Sequence, residues 1–358
     1  MSPPETASSS PTLETAILAL ATAWGGPPAA GRWRVSPEDF QVMEIPLLEP
    51  AGAGEHIWLW IRKREENTDQ VARQLARCAG VRARDVSYAG LKDRNAVTGQ
   101  WFSVHLPGRH EPDWGAIETN RVTVLRHARH NRKLRRGALR GNAFRIVVRD
   151  VSGDSDALQQ RLETVASRGL PNYFGEQRFG RAGSNLRMAE HLFEHRGPRL
   201  SRHQRGLVLS AARAFLFNQV LAHRVRDGSW NRVIPGDALQ LDGSHSFFIA
   251  AAADAELQAR ADALDLHPTG PLWGRGDSPV GAACRQLEEQ VLACCGSWQQ
   301  GLTAAGLRQE RRALRLVVKD LQWSWPTPDS LVLEFSLPAG CYATSVLREL
   351  VARAADRH

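Results

Sequence analysis

The chain has 358 residues, which is enough for two domains, and a formal net charge of +8 with a pI of about 9.8, which favours a polyanionic partner. Its five cysteines form no Cys-x-x-Cys pair and no zinc-like cluster with histidine, which argues against a metal site and favours reduced thiols in the cytoplasm. The apolar run 16–21 is too short to cross a membrane, so no membrane partner is expected.

Strand patterns dominate the first half of the chain. Apolar and polar residues alternate over 40–45 and 56–61, as they do in half-buried strands. Thr68 is expected to cap a helix that ends near Ala79, because Val71, Leu75 and Cys78 fall on one helical face. Further elements are expected as strands at 100–106, 121–126 and 143–149 and as a helix at 154–168.

The middle of the chain is more helical. Helices are predicted over 207–225 and over 280–295, where the second follows a loop rich in Pro and Gly. Strand character returns at 314–318 and 331–335, and a closing helix is predicted over 344–355. This order of sheet, helical block and sheet predicts an α+β fold with a domain inserted into another.

One carboxylate stands out because of its neighbours. Asp93 lies between Lys92 and Arg94, and such cations favour the ionised form of an aspartate, which can act as a nucleophile or general base. A lone Lys-Asp-Arg tripeptide is more often a solvated surface turn. The surrounding string AGLKDRNAVTGQW, however, resembles the active-site motif of the TruD family of tRNA pseudouridine synthases.

Four further motifs carry the same resemblance. They occur in the order of the family and, with the Asp93 motif, extend from residue 37 to residue 345: PEDFQV at 37–42, GNAF at 141–144, PNYFGEQRFG at 171–180 and LPAGCYATS at 337–345. Five ordered matches are hard to obtain by chance. The chain is therefore identified as a member of the TruD family.

The resemblance implies a fold and a reaction. The fold would be a pseudouridine synthase fold with a mixed, mainly antiparallel sheet, interrupted by an inserted α/β domain specific to the family. The catalytic domain would comprise 1–167 and 314–358, and the insertion 168–313. The enzyme would be an isomerase that converts uridine to pseudouridine in tRNA, at position 13 in the D-arm. Because this isomerisation adds no atoms and has no redox step, no cofactor and no metal are expected.

The resemblance also implies the residues of the site. Asp93 would be catalytic, since breaking the C1′–N1 bond builds positive charge at C1′ that a carboxylate stabilises. Attack at C1′ and proton removal from C2′ both remain open for it. Substrate binding is expected from residues at other motif positions, with Phe144 stacking on the uracil: Phe144, Asn142, Phe40, Tyr342, Lys92 and Arg34. The aromatic members are also typical of a buried core.

Basic residues are concentrated in one stretch. Residues 121–149 contain ten Lys or Arg and no Asp or Glu, and such a run repels itself unless a polyanion neutralises it. A second basic stretch covers 178–213. Contacts to tRNA phosphates are expected from Arg129, Arg132, Lys133, Arg135, Arg136, Arg140 and Arg178. These contacts would position the RNA without selecting the uridine.

Two other functions remain open at this point. A non-catalytic tRNA-binding or RNA-folding factor would use the same basic cleft, and a nucleoside-hydrolysing glycosidase would use Asp93 with a second carboxylate. The Asp93 motif argues against the first, and neither alternative explains all five motifs. The sequence implies no obligatory protein partner.

Overall fold

The computed structural model describes residues 20–108, 110–194 and 199–354. These residues divide into two compact units. The sheet unit comprises Pro27–Ala166, Val318–Ala343 and the described residues from Leu350 onward. The helical unit comprises the described residues up to Gly26 together with Ser167–Val317 and Thr344–Glu349. The predicted insertion boundaries at 168 and 313 stay a prediction.

The sheet unit is built on one large sheet. Its strands are β1 (Ala29–Trp33), β2 (Phe40–Pro46), β3 (His56–Arg64), β4 (Val86–Tyr88), β5 (Val97–His105), β6 (Val122–His130), β7 (Leu139–Gly153), β14 (Lys319–Thr327), β15 (Ser330–Pro338) and β16 (Val351–Arg353). The helices that accompany it are α1 (Thr68–Cys78) and α2 (Ser155–Arg168).

The strand order confirms the predicted sheet. Neighbouring strands follow the order β14-β15-β7-β2-β5-β3-β6, with β1 pairing β7 and β16 and with β4 pairing β5. Among the described residues, two pairings are parallel, β1 with β16 and β2 with β5, and seven are antiparallel. The sheet is therefore mixed and mainly antiparallel, as the sequence predicted.

Helix α1 covers one face of this sheet. Its Val71 and Leu75 are fully buried and belong to the same hydrophobic cluster as Ile57 and Leu59 of β3 and Phe102 of β5. Residues four apart lie on one side of a helix, so the apolar face predicted from the sequence is the face that packs. This packing fixes the first turn of α1 next to the loop that precedes β5.

The helical unit combines helices with small sheets. Its helices are α3 (Ser184–Phe193), α4 (Arg202–Arg226), α5 (Ala255–Asp262), α6 (Ala282–Leu292), α7 (Gly296–Ala304) and most of α8 (Ala343–Leu350). Its strands are β8 (Leu170–Pro171), β9 (Ala238–Leu241), β10 (Phe247–Ile249), β11 (Leu266–Leu272), β12 (Glu310–Ala313) and β13 (Arg315–Leu316). Four strands pair in the order β10-β9-β11-β12, and β13 pairs β8, so this unit combines helices with antiparallel strands.

Three element predictions were wrong. The closing helix ends at Leu350, because Val351–Arg353 pairs in parallel with β1, a partner that is distant in sequence. The strand expected over 314–318 is reduced to Arg315–Leu316. Strand β14 was missed, although Leu321, Trp323 and Trp325 alternate with polar residues as they do in strands. Within the described residues, no helix has the length and apolar character that a membrane span requires.

Candidate active site

Asp93 lies in the loop that joins β4 to β5. Its Oδ2 accepts a hydrogen bond of 2.6 Å from Nη2 of Arg34, which follows β1. The side chain of Asp93 is 30% exposed, so the carboxylate is held by an arginine and remains open to a ligand. A charge-assisted contact of this kind orients a carboxylate more firmly than a neutral hydrogen bond does.

Arg34 is itself held in an unusual conformation. Its φ of 62° lies in the left-handed region that residues other than glycine rarely adopt, and such backbone strain is concentrated at functional sites. The guanidinium carbon lies 4.0 Å from the centre of the Phe40 ring, within the range of a cation–π contact. One side chain therefore joins the carboxylate of Asp93 to an aromatic ring of β2.

The PEDF motif forms the turn between Arg34 and β2. Residues 37–39 make a short 3-10 turn, and the buried carboxylate of Asp39 accepts a hydrogen bond of 2.9 Å from the Ser36 backbone. The same carboxylate pairs with Arg149 of β7 at 2.7 Å. These bonds fix the entry into β2 and so the distance from Arg34 to Phe40.

Buried polar side chains form hydrogen bonds with the backbone of the Asp93 loop. Lys63 Nζ donates to the carbonyl oxygens of Asp93 and Lys92 at 2.8 and 3.4 Å. The Lys92 amide donates to Thr68 Oγ1 at 3.1 Å, and Gln100 Nε2 donates to the Gly90 carbonyl at 2.9 Å. Lys63, Thr68 and Gln100 are all almost fully buried. The loop therefore rests on fixed donors and acceptors.

Lys92 points into the sheet rather than toward solvent. Its Nζ pairs with Oε2 of Glu44 on β2 at 3.1 Å, and the two side chains are only 6% and 1% exposed. Burial raises the pKa of Glu44, although the Lys92 ammonium acts in the opposite direction. This contact favours an indirect role for Lys92, which anchors the loop that carries Asp93.

The titration of Lys63 gives a testable pH dependence. Burial lowers the pKa of Lys63 from its ordinary 10.5 to about 8. Between these two values the unfolded chain binds more protons than the folded chain, so this residue's contribution to stability rises with pH. We expect the free energy of unfolding of the wild type, minus that of Lys63→Met, to increase across this window. Urea titrations at both ends of the window measure it, and a difference independent of pH would contradict the assignment.

Aromatic side chains extend the site along the sheet. In the strand register, Phe144 of β7 lies between Val42 of β2 and Phe335 of β15. Its ring stacks on Phe335 with centroids 5.3 Å apart and meets the Phe40 ring edge-on at 6.3 Å. Phe144 is 8% exposed. Contacts thus run without a break from Asp93 through Arg34 and Phe40 to Phe144.

Asn142 lies two residues earlier on the same face of β7. Its Cα partner on β2 is Glu44, the residue that pairs with Lys92. Oδ1 of Asn142 is buried and has no hydrogen-bond partner among the described residues. Buried polar atoms without partners are rare in folded proteins. This part of the sheet therefore contains a buried amide oxygen whose partner the described residues do not supply.

Two other predicted site residues lie elsewhere. Tyr342 is half-buried in the loop between β15 and α8. Arg178 belongs to the helical unit, where its Nη1 donates to Ser210 Oγ at 3.0 Å. The structure thus brings together Asp93, Arg34 and the aromatic pair of the sheet, and the roles of Tyr342 and Arg178 stay predictions.

The basic stretch is less uniform than its sequence indicates. Four of its arginines pair with carboxylates from other parts of the chain: Arg126 with Glu49, Arg129 with Glu111, Arg145 with Glu334 and Arg149 with Asp39. The cations between β6 and β7 and at the start of β7 are exposed and form no ion pair with described residues: Arg132, Lys133, Arg135, Arg136 and Arg140. The unneutralised charge is therefore concentrated on the β6–β7 loop.

Comparison with known proteins identifies the family. The model of the family described as tRNA pseudouridine synthase D (TruD) matches residues 19–198 and 184–350. The chain is 54% identical over 333 residues to tRNA pseudouridine synthase D of Nitrosococcus oceani, with 92% of this chain and 93% of that protein covered. The chain belongs to the TruD family. A second member, tRNA pseudouridine synthase D of Methylococcus capsulatus, is 53% identical with 93% and 94% covered.

A solved TruD structure shares the fold. The crystal structure of the TruD protein of Methanosarcina mazei superposes with a TM-score of 0.67 at 21% identity and covers 93% of this chain and 94% of that chain. At this identity the likeness concerns the fold alone. It confirms the predicted α+β fold of the TruD type.

Several residues that hold the loop of this TruD chain were missed in the sequence. Thr68 was expected to cap α1, but Asn67 is the N-cap residue and the Thr68 hydroxyl serves the Asp93 loop instead, donating to Gln100 Oε1 at 3.0 Å. Lys63 and Glu44 are charged residues at buried strand positions. Their only signal in the sequence is a charge that interrupts an apolar alternation. The described residues contain no group of three or more His, Cys, Asp or Glu arranged to hold a metal ion.

Proposed function

We propose that this chain is a tRNA pseudouridine synthase in which Asp93 is the catalytic residue. The observation that carries the proposal is a partly exposed carboxylate, held at 2.6 Å by Arg34, within the motif that resembles the active-site motif of the family. The reaction breaks the C1′–N1 bond of uridine and forms a C1′–C5 bond. C5 loses its proton and N1 gains one, so the product is an isomer of the substrate. The uracil stays in the site between the two steps.

Asp93 acts on the sugar. Positive charge develops at C1′ as the glycosidic bond breaks, and the carboxylate lies ready either to bond to C1′ or to accept a proton from C2′. Arg34 keeps the carboxylate oriented, and its own position depends on Phe40. The hydrogen bond from Lys63 and the ion pair of Lys92 with Glu44 hold the loop in place when the substrate binds.

The uracil is held by the sheet. Recognition of a base that has left its stack uses aromatic surface and hydrogen bonds to its edge. Phe144 and Phe40 supply the aromatic surface, and Asn142 Oδ1 is an acceptor that suits the N3–H group of uracil. Tyr342 is assigned to the edge of the surface that binds the uracil. Phe144 acts by its edge or remaining face, because one face packs on Phe335.

The substrate is assigned as uridine 13 in the D-arm of tRNA, and the enzyme is assigned to the cytoplasm. We assign residues 168–313 as the inserted domain, with Arg178 contacting RNA. The position is tested by mapping pseudouridine in total tRNA from cells with and without the gene. Loss of pseudouridine at position 13 alone supports the assignment. Loss of pseudouridine at another position would change the assigned target uridine but not the assigned reaction.

RNA binding is expected to depend strongly on salt because of the β6–β7 loop. Neutralising Arg132, Arg135 and Arg136 together should reduce the slope of log K against log[salt] by about 2 to 3, since each phosphate contact contributes roughly 0.7 to 0.9. A matched control neutralises Arg126 and Arg145, which are already paired with carboxylates. Filter binding over a range of salt concentrations measures the slope. Equal slopes for the two variants would show that the β6–β7 loop does not contact the RNA phosphates.

The carboxylate that pairs with the Asp93 loop does not suit the glycosidase alternative. Glu44 is the carboxylate joined to the Asp93 loop, but it is 1% exposed and paired with Lys92. A hydrolase needs a carboxyl group that water or the leaving base can reach. The geometry therefore favours a reaction that retains the base.

A further inference from the structure

A cavity of about 580 Å³ opens in the sheet unit beside β4, the strand that leads into the Asp93 loop. It is bordered by the first turns of α1, by β4 and the residues before it, and by the β6–β7 loop. Asp93 and Arg34 are not among the residues that line it. Its volume lies within the range of sites that bind small molecules, so it has room for a nucleotide.

The lining of this cavity is strongly basic. Four cations border it, Arg73, Lys133, Arg135 and Arg136, against the single carboxylate of Asp69. Asp69 is engaged, because it accepts the hydroxyl hydrogen of Tyr88. None of the four cations forms an ion pair with a carboxylate in the described parts of the chain. Such a site attracts an anion.

The cavity also offers surfaces for a base. The guanidinium carbon of Arg136 lies 5.3 Å from the Tyr88 ring centre, and its Nη2 donates to the Tyr88 hydroxyl at 3.4 Å. Proteins that read unpaired RNA stack bases on arginine planes and aromatic rings. Ser87 Oγ, also in the lining, is buried without a hydrogen-bond partner among the described residues. Burial, together with the hydrogen bond to the Asp69 carboxylate and its negative charge, raises the pKa of Tyr88 to about 12, so the hydroxyl stays protonated.

We propose that this cavity binds a second unstacked nucleotide of the substrate RNA, close in sequence to the uridine that enters the Asp93 site. Its base lies against the guanidinium of Arg136, and Lys133 and Arg135 bind its phosphate. The inference rests on the proposed function and adds a recognition site to it. An RNA strand is the occupant because the same cations continue the exposed surface formed by Arg132 and Arg140.

The cavity is connected to the catalytic loop through the backbone. Gly137 of the β6–β7 loop donates its amide hydrogen to the carbonyl of Ala89, the first residue of the Asp93 motif, at 2.8 Å. Leu134 anchors the same loop in a cluster with Ala89, Trp58 and Trp101. A nucleotide in the cavity thus lies on the segment that leads to Asp93, and its binding contributes to selection of the target.

A double-mutant cycle between protein and RNA tests the proposal. Binding of a tRNA transcript is measured for the Asp93→Asn protein, so that the RNA is not converted, with and without Arg136→Ala. The RNA carries one abasic ribose at a time, at each nucleotide near the modified uridine. The matched control is Arg132→Ala, an exposed cation of the same loop that does not line the cavity.

We expect Arg136→Ala to weaken binding about tenfold or more, the scale of one lost base stack, and more than Arg132→Ala does. At one RNA position, the abasic substitution should weaken binding to the protein that keeps Arg136 but should have no effect on binding to the Arg136→Ala protein. Arg136→Lys, which keeps the charge, should give the same result at that position. Additive effects at every position would overturn the proposal. Pseudouridine formation by the wild type is measured separately, so failure of the proposed function is distinguished from failure of the cavity.

Discussion

Asp93→Asn is expected to lower the single-turnover rate of pseudouridine formation by at least about three orders of magnitude, as loss of a catalytic nucleophile or base does in other enzymes. Asparagine preserves the shape and can still receive the hydrogen bond from Arg34, but it cannot stabilise charge at C1′ or take up a proton. Affinity for tRNA should change by no more than about twofold, because the lost interaction forms in the transition state. Rapid-quench assays with enzyme in excess measure the rate.

A matched control comes from another aspartate with an arginine partner. Asp85 is 25% exposed and pairs with Arg82 at 3.4 Å, a setting similar to that of Asp93. Asp85→Asn should leave the rate unchanged. If Asp93→Asn keeps about a tenth or more of the wild-type rate, Asp93 is not the group that acts on the sugar.

Breaking the buried pair of Glu44 and Lys92 is expected to have the largest effect on stability. Glu44→Gln and Lys92→Met should each lower the free energy of unfolding by about 3 to 5 kcal/mol, because each leaves one buried group without its partner. The double variant should lose less than the sum, since no uncompensated charge remains. Urea unfolding of the four proteins gives the coupling energy.

The same variants connect stability to catalysis. Because Lys92 precedes Asp93, loss of its anchor should lower the maximal rate of the folded enzyme more than it changes RNA affinity. Arg145 and Glu334 form an exposed pair of β7 and β15 at 3.3 Å and provide the control, whose removal should leave stability and rate nearly unchanged. Strictly additive losses from the Glu44 and Lys92 variants would show that the pair does not act as a unit.

The sequence predicted the parts of this fold that local patterns specify. The alternation over 40–45 and 56–61 became β2 and β3, and the apolar face of α1 packs as expected. The end of the chain was mispredicted because β16 depends on a pairing with the distant β1. Strand β14 is an exception, because it was missed although Leu321, Trp323 and Trp325 alternate with polar residues.

The residues of the candidate site were proposed from their motifs, whereas the buried residues that support them were not. Asp93, Arg34 and Phe40 are joined by contacts that no local pattern specifies, since they come from three different elements. Lys63 and Glu44 were missed because a charged residue in a strand usually faces water. Each nevertheless continues the phase of the buried apolar residues in its own strand, which was the one signal available.

The charge of the basic stretch was also only partly predictable. From the sequence, ten cations without a nearby acid indicated a self-repelling segment. In the folded chain, acids distant in sequence pair with the strand arginines, such as Glu111 with Arg129. The cations without carboxylate partners are concentrated in the β6–β7 loop. We therefore expect this loop to cause the salt dependence of RNA binding and to border the second nucleotide site.

The most direct test of the central claim follows the fate of the uracil. The protein is incubated with tRNA labelled with tritium at C5 of uridine, and both released tritium and free uracil are measured. A base-retaining isomerase releases tritium in amounts equal to the pseudouridine formed, with no free uracil, and Asp93→Asn releases none. Free uracil in place of tritium would contradict the account and identify a hydrolase. If the folded wild type binds tRNA but releases neither tritium nor uracil, the protein is a non-catalytic tRNA-binding factor.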